Sequence, residues 1–186
     1  MRSFIRFNRP LVATLIAVVA ALSVLQVAYA GPDEPSVPPK ITVGEGHKVF
    51  LVGHAAGVQI YACNPVGGGF GWGLVAPRAN LYDDDGKLIV THFGGPTWLA
   101  KDGSKAVGQV VDRVTVDPTA IQWLLLSTAS TPGPDGDRLA HTTYIQRIAT
   151  TGGLAPPAAE CNVTTAGNRV EVDYTADYYF WKEISA

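Results

Sequence analysis

An all-β domain, either an antiparallel β-sandwich or a squat barrel with one disulfide, is what this 186-residue sequence predicts. Three observations carry that prediction. Apolar and polar residues alternate from Val170 to Phe180, the period of a strand with one buried and one wet face. Short β-like runs are separated by Gly-, Asp- and Pro-containing turn signals. After residue 46 no segment sustains a helical spacing of apolar residues.

Met1–Pro10 carries Arg2, Arg6 and Arg9 and no acid, an apolar run covers Leu11–Val27, and Ala28-Tyr29-Ala30 follows. That order reads as a secretory signal peptide over residues 1–30 and predicts a secreted or periplasmic protein. An uncleaved anchor is the alternative, since ~20 apolar residues span a bilayer. No second apolar run of that length exists, so no membrane span is expected after cleavage. The chain has two cysteines, Cys63 and Cys161, and an even pair in an exported chain reads as a disulfide. Two free buried thiols are the alternative.

Residues 31–46 hold Pro32, Pro35, Pro38 and Pro39 and read as an extended, poorly ordered Pro-rich tether. Residues 47–186 read as a single β domain. Strands are expected at Lys48–Gly53, Val58–Cys63, Phe70–Ala76, Asn80–Tyr82, Lys87–Phe93, Ala106–Val116, Ala120–Thr128 and Thr142–Ala149, ahead of the closing strand. In that closing strand Val170, Val172, Tyr174, Ala176, Tyr178 and Phe180 share one face, and Glu171, Asp173, Thr175, Asp177 and Tyr179 the other. Trp123-Leu124-Leu125-Leu126 is apolar on both faces, which marks a central, doubly covered strand, with a short helix as the alternative. Asp85-Gly86 and Asp102-Gly103 supply the positive φ of tight turns. Gly67–Gly73 reads as a flexible hairpin loop, and Thr131–Arg138 and Thr150–Gly167 as long loops.

The formal charge is −2. Without the three leader arginines, 11 basic side chains face 16 acidic ones, a formal charge of −5. With no basic cluster, the chain is a poor partner for nucleic acid or an anionic membrane. His47, His54, His92 and His141 form no metal-ligand spacing, so no metal site is expected. Asp83-Asp84-Asp85-Gly86 lacks the alternating ligands and distant Glu of a calcium loop and reads as a turn. The glycine-rich stretch ends in no Gly-Lys-Ser/Thr and begins no βαβ unit, so no nucleotide cofactor is expected. Serine-nucleophile signatures are absent.

A few residues stand out. His92 alternates with Val90 and Leu88 and is expected on the core side, more as a hydrogen-bonded core imidazole than as a catalyst. Gln146 shares a face with Tyr144 and Ile148, and Arg147 with Ile145, so a polar group sits among apolar ones and needs a partner. His92, Trp98, Asp102 and Lys105 cluster around one hairpin in sequence. Trp72, Trp98, Trp123 and Trp181 with seven tyrosines are numerous enough to form a sugar platform, although a core would use most of them. Asn162-Val163-Thr164 matches a glycosylation acceptor.

Several strings resemble one secreted family of bacteria and fungi: Gly57–Cys63, Thr91–Trp98, Asp102–Lys105, Trp123–Leu126, Tyr144–Arg147, Gly152-Gly153 with Ala155-Pro156, and Tyr174–Tyr179. The family is the domain of unknown function numbered 3455, and the resemblance covers about residues 41–182 in order. It implies a single exported domain with Cys63 and Cys161 paired. It implies no activity or catalytic residue. Some fungal members carry a malate dehydrogenase label, which the missing dinucleotide fingerprint does not support.

The expected function is therefore a non-enzymatic binding or envelope-associated module for a glycan or a small apolar ligand. Its candidate ligand-binding residues are His92, Trp98, Asp102, Lys105, Gln146 and Arg147. The alternative is a secreted hydrolase-like enzyme with its site near His92, Trp98, Asp102 and Lys105.

Overall fold

The computed structural model describes residues 31–184, so the signal peptide read at residues 1–30 lies outside the described residues. Eight strands follow in order: β1 (His47–Val66), β2 (Gly69–Tyr82), β3 (Leu88–Phe93), β4 (Thr97–Ala100), β5 (Lys105–Val114), β6 (Trp123–Thr131), β7 (Tyr144–Gly152) and β8 (Arg169–Glu183). Each pairs antiparallel with the next, and β8 returns to pair with β1 from His47–Glu183 to Ala62–Arg169. The sheet closes on itself, which decides for the barrel over the sandwich.

The alternation of β8 sets the inside. Tyr174, Ala176, Tyr178 and Phe180 are buried, whereas Glu171, Asp173 and Thr175 are exposed. Directly paired residues share a face. Tyr178 pairs with Gly53 and Arg147, and Phe180 with Leu51 and Ile145, so these line the interior. Across the ring they meet Leu81, Val90, Trp98, Ala106 and Leu126 in one core.

The structure redraws several expected elements. Lys48–Gly53 and Val58–Cys63 are parts of one strand, β1, paired without interruption across Gly53–Val58. Small residues keep that stretch continuous: a Cβ on Gly57 would lie 2.5 Å from the Cα of Ala79 on β2. The hairpin turn between β1 and β2 is only Gly67-Gly68, both at positive φ, and Gly69–Gly73 is strand rather than loop. Strand β4 was not expected, because four residues between two turns carry too short a pattern to read. The Asp85-Gly86 and Asp102-Gly103 turns are present, with φ of 75° at Gly86 and 81° at Gly103.

The tether needs correction. Within residues 31–46, a 3-10 turn at Pro39–Ile41 lays the chain across the outside of the barrel. Ile41 and Val43 pack on Val49, Leu125, Ile148 and Trp181 in a second core. The Gln146 Nε2 donates to the Ile41 carbonyl at 2.7 Å, and its Oε1 accepts from Trp181 Nε1 at 2.9 Å. Lys40 Nζ pairs with Asp112 at 2.9 Å. This strap covers the outward side of β6, so that strand is apolar on both faces because both are covered.

Cys63 and Cys161 form the disulfide across 98 residues. It joins the end of β1 to the β7–β8 connection. Among the described residues no helix is long and apolar enough to cross a membrane.

Candidate functional site

The β1–β2, β3–β4, β5–β6 and β7–β8 connections lie at one end of the barrel. Here β2 leaves β3 after the Ala79–His92 pair but continues along β1 to Gly69. The parting opens a pocket of about 220 Å3 between β2, the β3–β4 turn, β5 and the barrel interior. Its walls are mainly apolar: Leu74, Val75, Ala76, Pro77, Pro96, Trp98, Val110, Leu124 and Leu126. Leu74 and Val75 are exposed at its rim.

Four polar side chains interrupt these walls: Gln59, His92, Arg147 and Tyr178. His92 is 3 % exposed, and its ring stacks on Trp98 with centroids 4.2 Å apart. Its Nδ1 donates to the Thr97 carbonyl at 2.9 Å. Burial pushes the imidazole pKa down to about 4, with the Thr97 hydrogen bond opposing and the Arg147 charge assisting. The ring is therefore neutral at pH 7, and Nε2 carries a lone pair. Gln59 is 2 % exposed and its Nε2 has no partner; nor has Trp98 Nε1. An unpaired buried donor costs about 1–3 kcal/mol, so such groups ask for a ligand or a water.

Arg147 anchors the β5–β6 connection by donating from Nε and Nη2 to the Gln122 carbonyl at 3.2 and 2.7 Å. Burial raises the Tyr178 phenol, which the neighbouring Arg147 charge moderates. The Tyr174 and Tyr178 hydroxyls lie 3.3 Å apart. Gly108 makes room for the pocket's aromatic wall: a Cβ there would come within 2.9 Å of the Trp98 ring.

The chain matches the family described as Protein of unknown function (DUF3455) over residues 44–182. It belongs to that family. No curated protein and no solved structure matches it significantly.

In this DUF3455 chain the residues singled out from sequence separate into distinct places. His92, Trp98 and Arg147 come together in the pocket. Gln146 points the opposite way, beneath the strap, with both ends of its amide paired. Asp102 lies in the β4–β5 turn and Lys105 opens β5 opposite Leu99, so neither joins His92 in the pocket. The Asp102 carboxylate accepts from the Ser104 hydroxyl at 2.5 Å and from the Arg138 backbone N–H at 2.8 Å, which ties the β4–β5 turn to the β6–β7 loop. The Ser104 bond, then the Arg138 one, holds its pKa below the usual carboxylate range. Lys105 is exposed.

Trp98 and Trp181 are buried, Trp123 packs in the second core, and the Trp72 indole donates to the Pro157 carbonyl at 3.3 Å. Asn162 caps its own loop, accepting from the Thr164 backbone N–H at 3.0 Å. Among the described residues, no group of three or more His, Cys, Asp or Glu side chains is placed to hold a metal ion.

Gln59 and Tyr178 were not singled out from sequence. Gln59 carried a signal: it is the one amide in the expected strand Val58–Cys63, on the face of Tyr61. Tyr178 carried none that distinguishes a pocket wall from a core.

Proposed function

We propose that the protein is an exported, non-enzymatic binding module that takes a small, mainly apolar ligand in the barrel mouth. One observation carries the reading: an apolar pocket of about 220 Å3 with a buried side-chain donor, Gln59 Nε2, left unpaired in its wall. Apolar walls with a few convergent polar atoms are the usual build of a small-molecule site. The volume is below the ~300–1,000 Å3 of sites for drug-sized ligands, so the ligand is small. The leader and the disulfide support export.

A glycan is the less favoured ligand, because stacking on sugar rings needs exposed aromatic faces and these tryptophans are engaged elsewhere. The hydrolase reading is disfavoured too. His92 has no carboxylate among its hydrogen-bond partners, and a general base needs its orienting and reacting groups within reach.

A fragment library screened by methyl NMR tests the proposal. Fragments that bind should shift the Leu124 and Leu126 methyls and not those of Leu139 at the other end. Val110→Trp, at a half-exposed wall position, should abolish those shifts while leaving the fold intact. A library that never moves the pocket methyls defeats the reading.

A further inference from the structure

The pocket's electrostatics define its ligand further, on the footing that the barrel-mouth reading holds. Among the described residues Arg147 is the one charged residue lining the pocket. A guanidinium has five N–H donors; the Gln122 carbonyl takes up two of them and the Tyr178 hydroxyl engages a further one. None of the ion pairs among the described residues includes Arg147. A half-buried cation thus faces an apolar cavity with donors to spare and no counter-charge. Gln59 adds a second, independent observation, since its unpaired Nε2 is a further donor in the same wall. His92 is neutral and contributes no second charge.

We infer that the pocket takes a small organic acid, its carboxylate held by Arg147 and Gln59 and its apolar body against Trp98 and Leu126. The alternatives match the pocket less well. A cationic ligand is repelled by Arg147. A neutral apolar ligand would strip water from the guanidinium and give nothing back. A doubly charged phosphate calls for more than one cation. A monocarboxylate balances the single charge, matches the planar fork of the guanidinium and leaves its hydrocarbon for the walls.

The test titrates the oxidised chain at neutral pH with phenylacetate and hexanoate, each against its primary amide. Binding is read by calorimetry and by the Leu124 and Leu126 methyl shifts. Each acid should bind at least ~10-fold tighter than its amide, as charge-assisted pairing to Arg requires. Arg147→Met should remove that preference while amide binding persists, and Arg147→Lys should keep part of it. Acids and amides bound equally, or amides bound better, would overturn the carboxylate assignment and leave the pocket reading standing. If none of the four compounds moves the pocket methyls, the assignment falls; if the fragment library is silent as well, the pocket reading falls with it. Should Arg147→Met not fold, Gln59→Leu takes its place, expected to weaken the acids more than the amides, and an equal effect on both counts against the assignment.

Discussion

His92 is buried against Trp98 and is neutral in the native barrel, while an unfolded chain would let it ionise near pH 6.5. Its folded pKa is the lower of the two, so the unfolded state binds the extra proton as pH falls. Stability from this group is complete above pH 6.5 and drains away down to about pH 4, by roughly 3 kcal/mol. Urea unfolding of wild type and His92→Phe at neutral and mildly acid pH checks this. The variant loses the Thr97 hydrogen bond at every pH, but its stability should fall less steeply with acid. His54 has the opposite sign. Its Nε2 bonds Asp84 at 2.9 Å and its Nδ1 bonds Asp177 at 2.7 Å, and these bonds, Asp84 first, raise its pKa. Its contribution is present below the unfolded value and lost as pH rises through the folded one, and it is small because the ring is half exposed. His54→Gln should therefore flatten the alkaline side of the profile alone. Among the described residues Ala149 is the one non-glycine residue at positive φ, 48°, in the β7 bulge between Ile148 and Thr151. That conformation strains any residue with a Cβ. Ala149→Gly should stabilise by about 0.5 kcal/mol after the entropic cost of glycine, and Ala149→Val should destabilise, both read as shifts in Tm. The side on which His92 lies was legible, since alternation with Val90 decides it. Its partner was not, because Thr97 begins a strand too short to recognise.

Elements show where local pattern misleads. The strap looks like a tether because four prolines suppress both helix and sheet patterns. Its three anchors, Val37, Ile41 and Val43, are too few to declare a buried face by themselves. The complementary sign was in β6, whose outward Trp123 and Leu125 require a cover, but their cover is some 80 residues away in sequence and periodicity carries no such information. The Gln146 amide is the hinge of that packing, bonded to the strap on one side and to Trp181 on the other. Ile41→Ala should cost about 2–4 kcal/mol, as for a large-to-small change in a filled core. Gln146→Leu should cost about 2 kcal/mol or more, because it strands both the Ile41 carbonyl and the Trp181 indole. Chemical denaturation gives both values. Costs near zero would mean that the strap rests on the barrel without supporting it.

At the scale of the molecule, alternating strands specify a sheet with one wet face and say nothing of whether it closes. Sandwich and barrel therefore remained equal from sequence, and what separates them is the β1–β8 seam. β1 supplies a 20-residue strand long enough to pair with β2 on one side and β8 on the other. Seven of the eight seams join strands that follow one another along the chain. The eighth joins segments more than a hundred residues apart and carries the largest closure entropy. The disulfide spans nearly the same interval: Cys63 lies one residue beyond the Ala62–Arg169 pair, and Cys161 only eight before β8. Sulfur thus restricts the unfolded chain in the one dimension that the barrel's last pairing needs. Replacing both cysteines by alanine should lower stability by about 2–4 kcal/mol, below the ~4.7 kcal/mol chain-entropy ceiling for a 100-residue loop. Two anchors survive the replacement, since the Cys63 N–H donates to Asn168 O at 3.0 Å and the Gly167 N–H donates to Cys63 O at 2.8 Å. The variant should therefore keep its β circular dichroism and unfold at a lower urea midpoint, and reduced wild type should match it. Equal midpoints for the oxidised and reduced protein would show that the barrel closes without help from the bond.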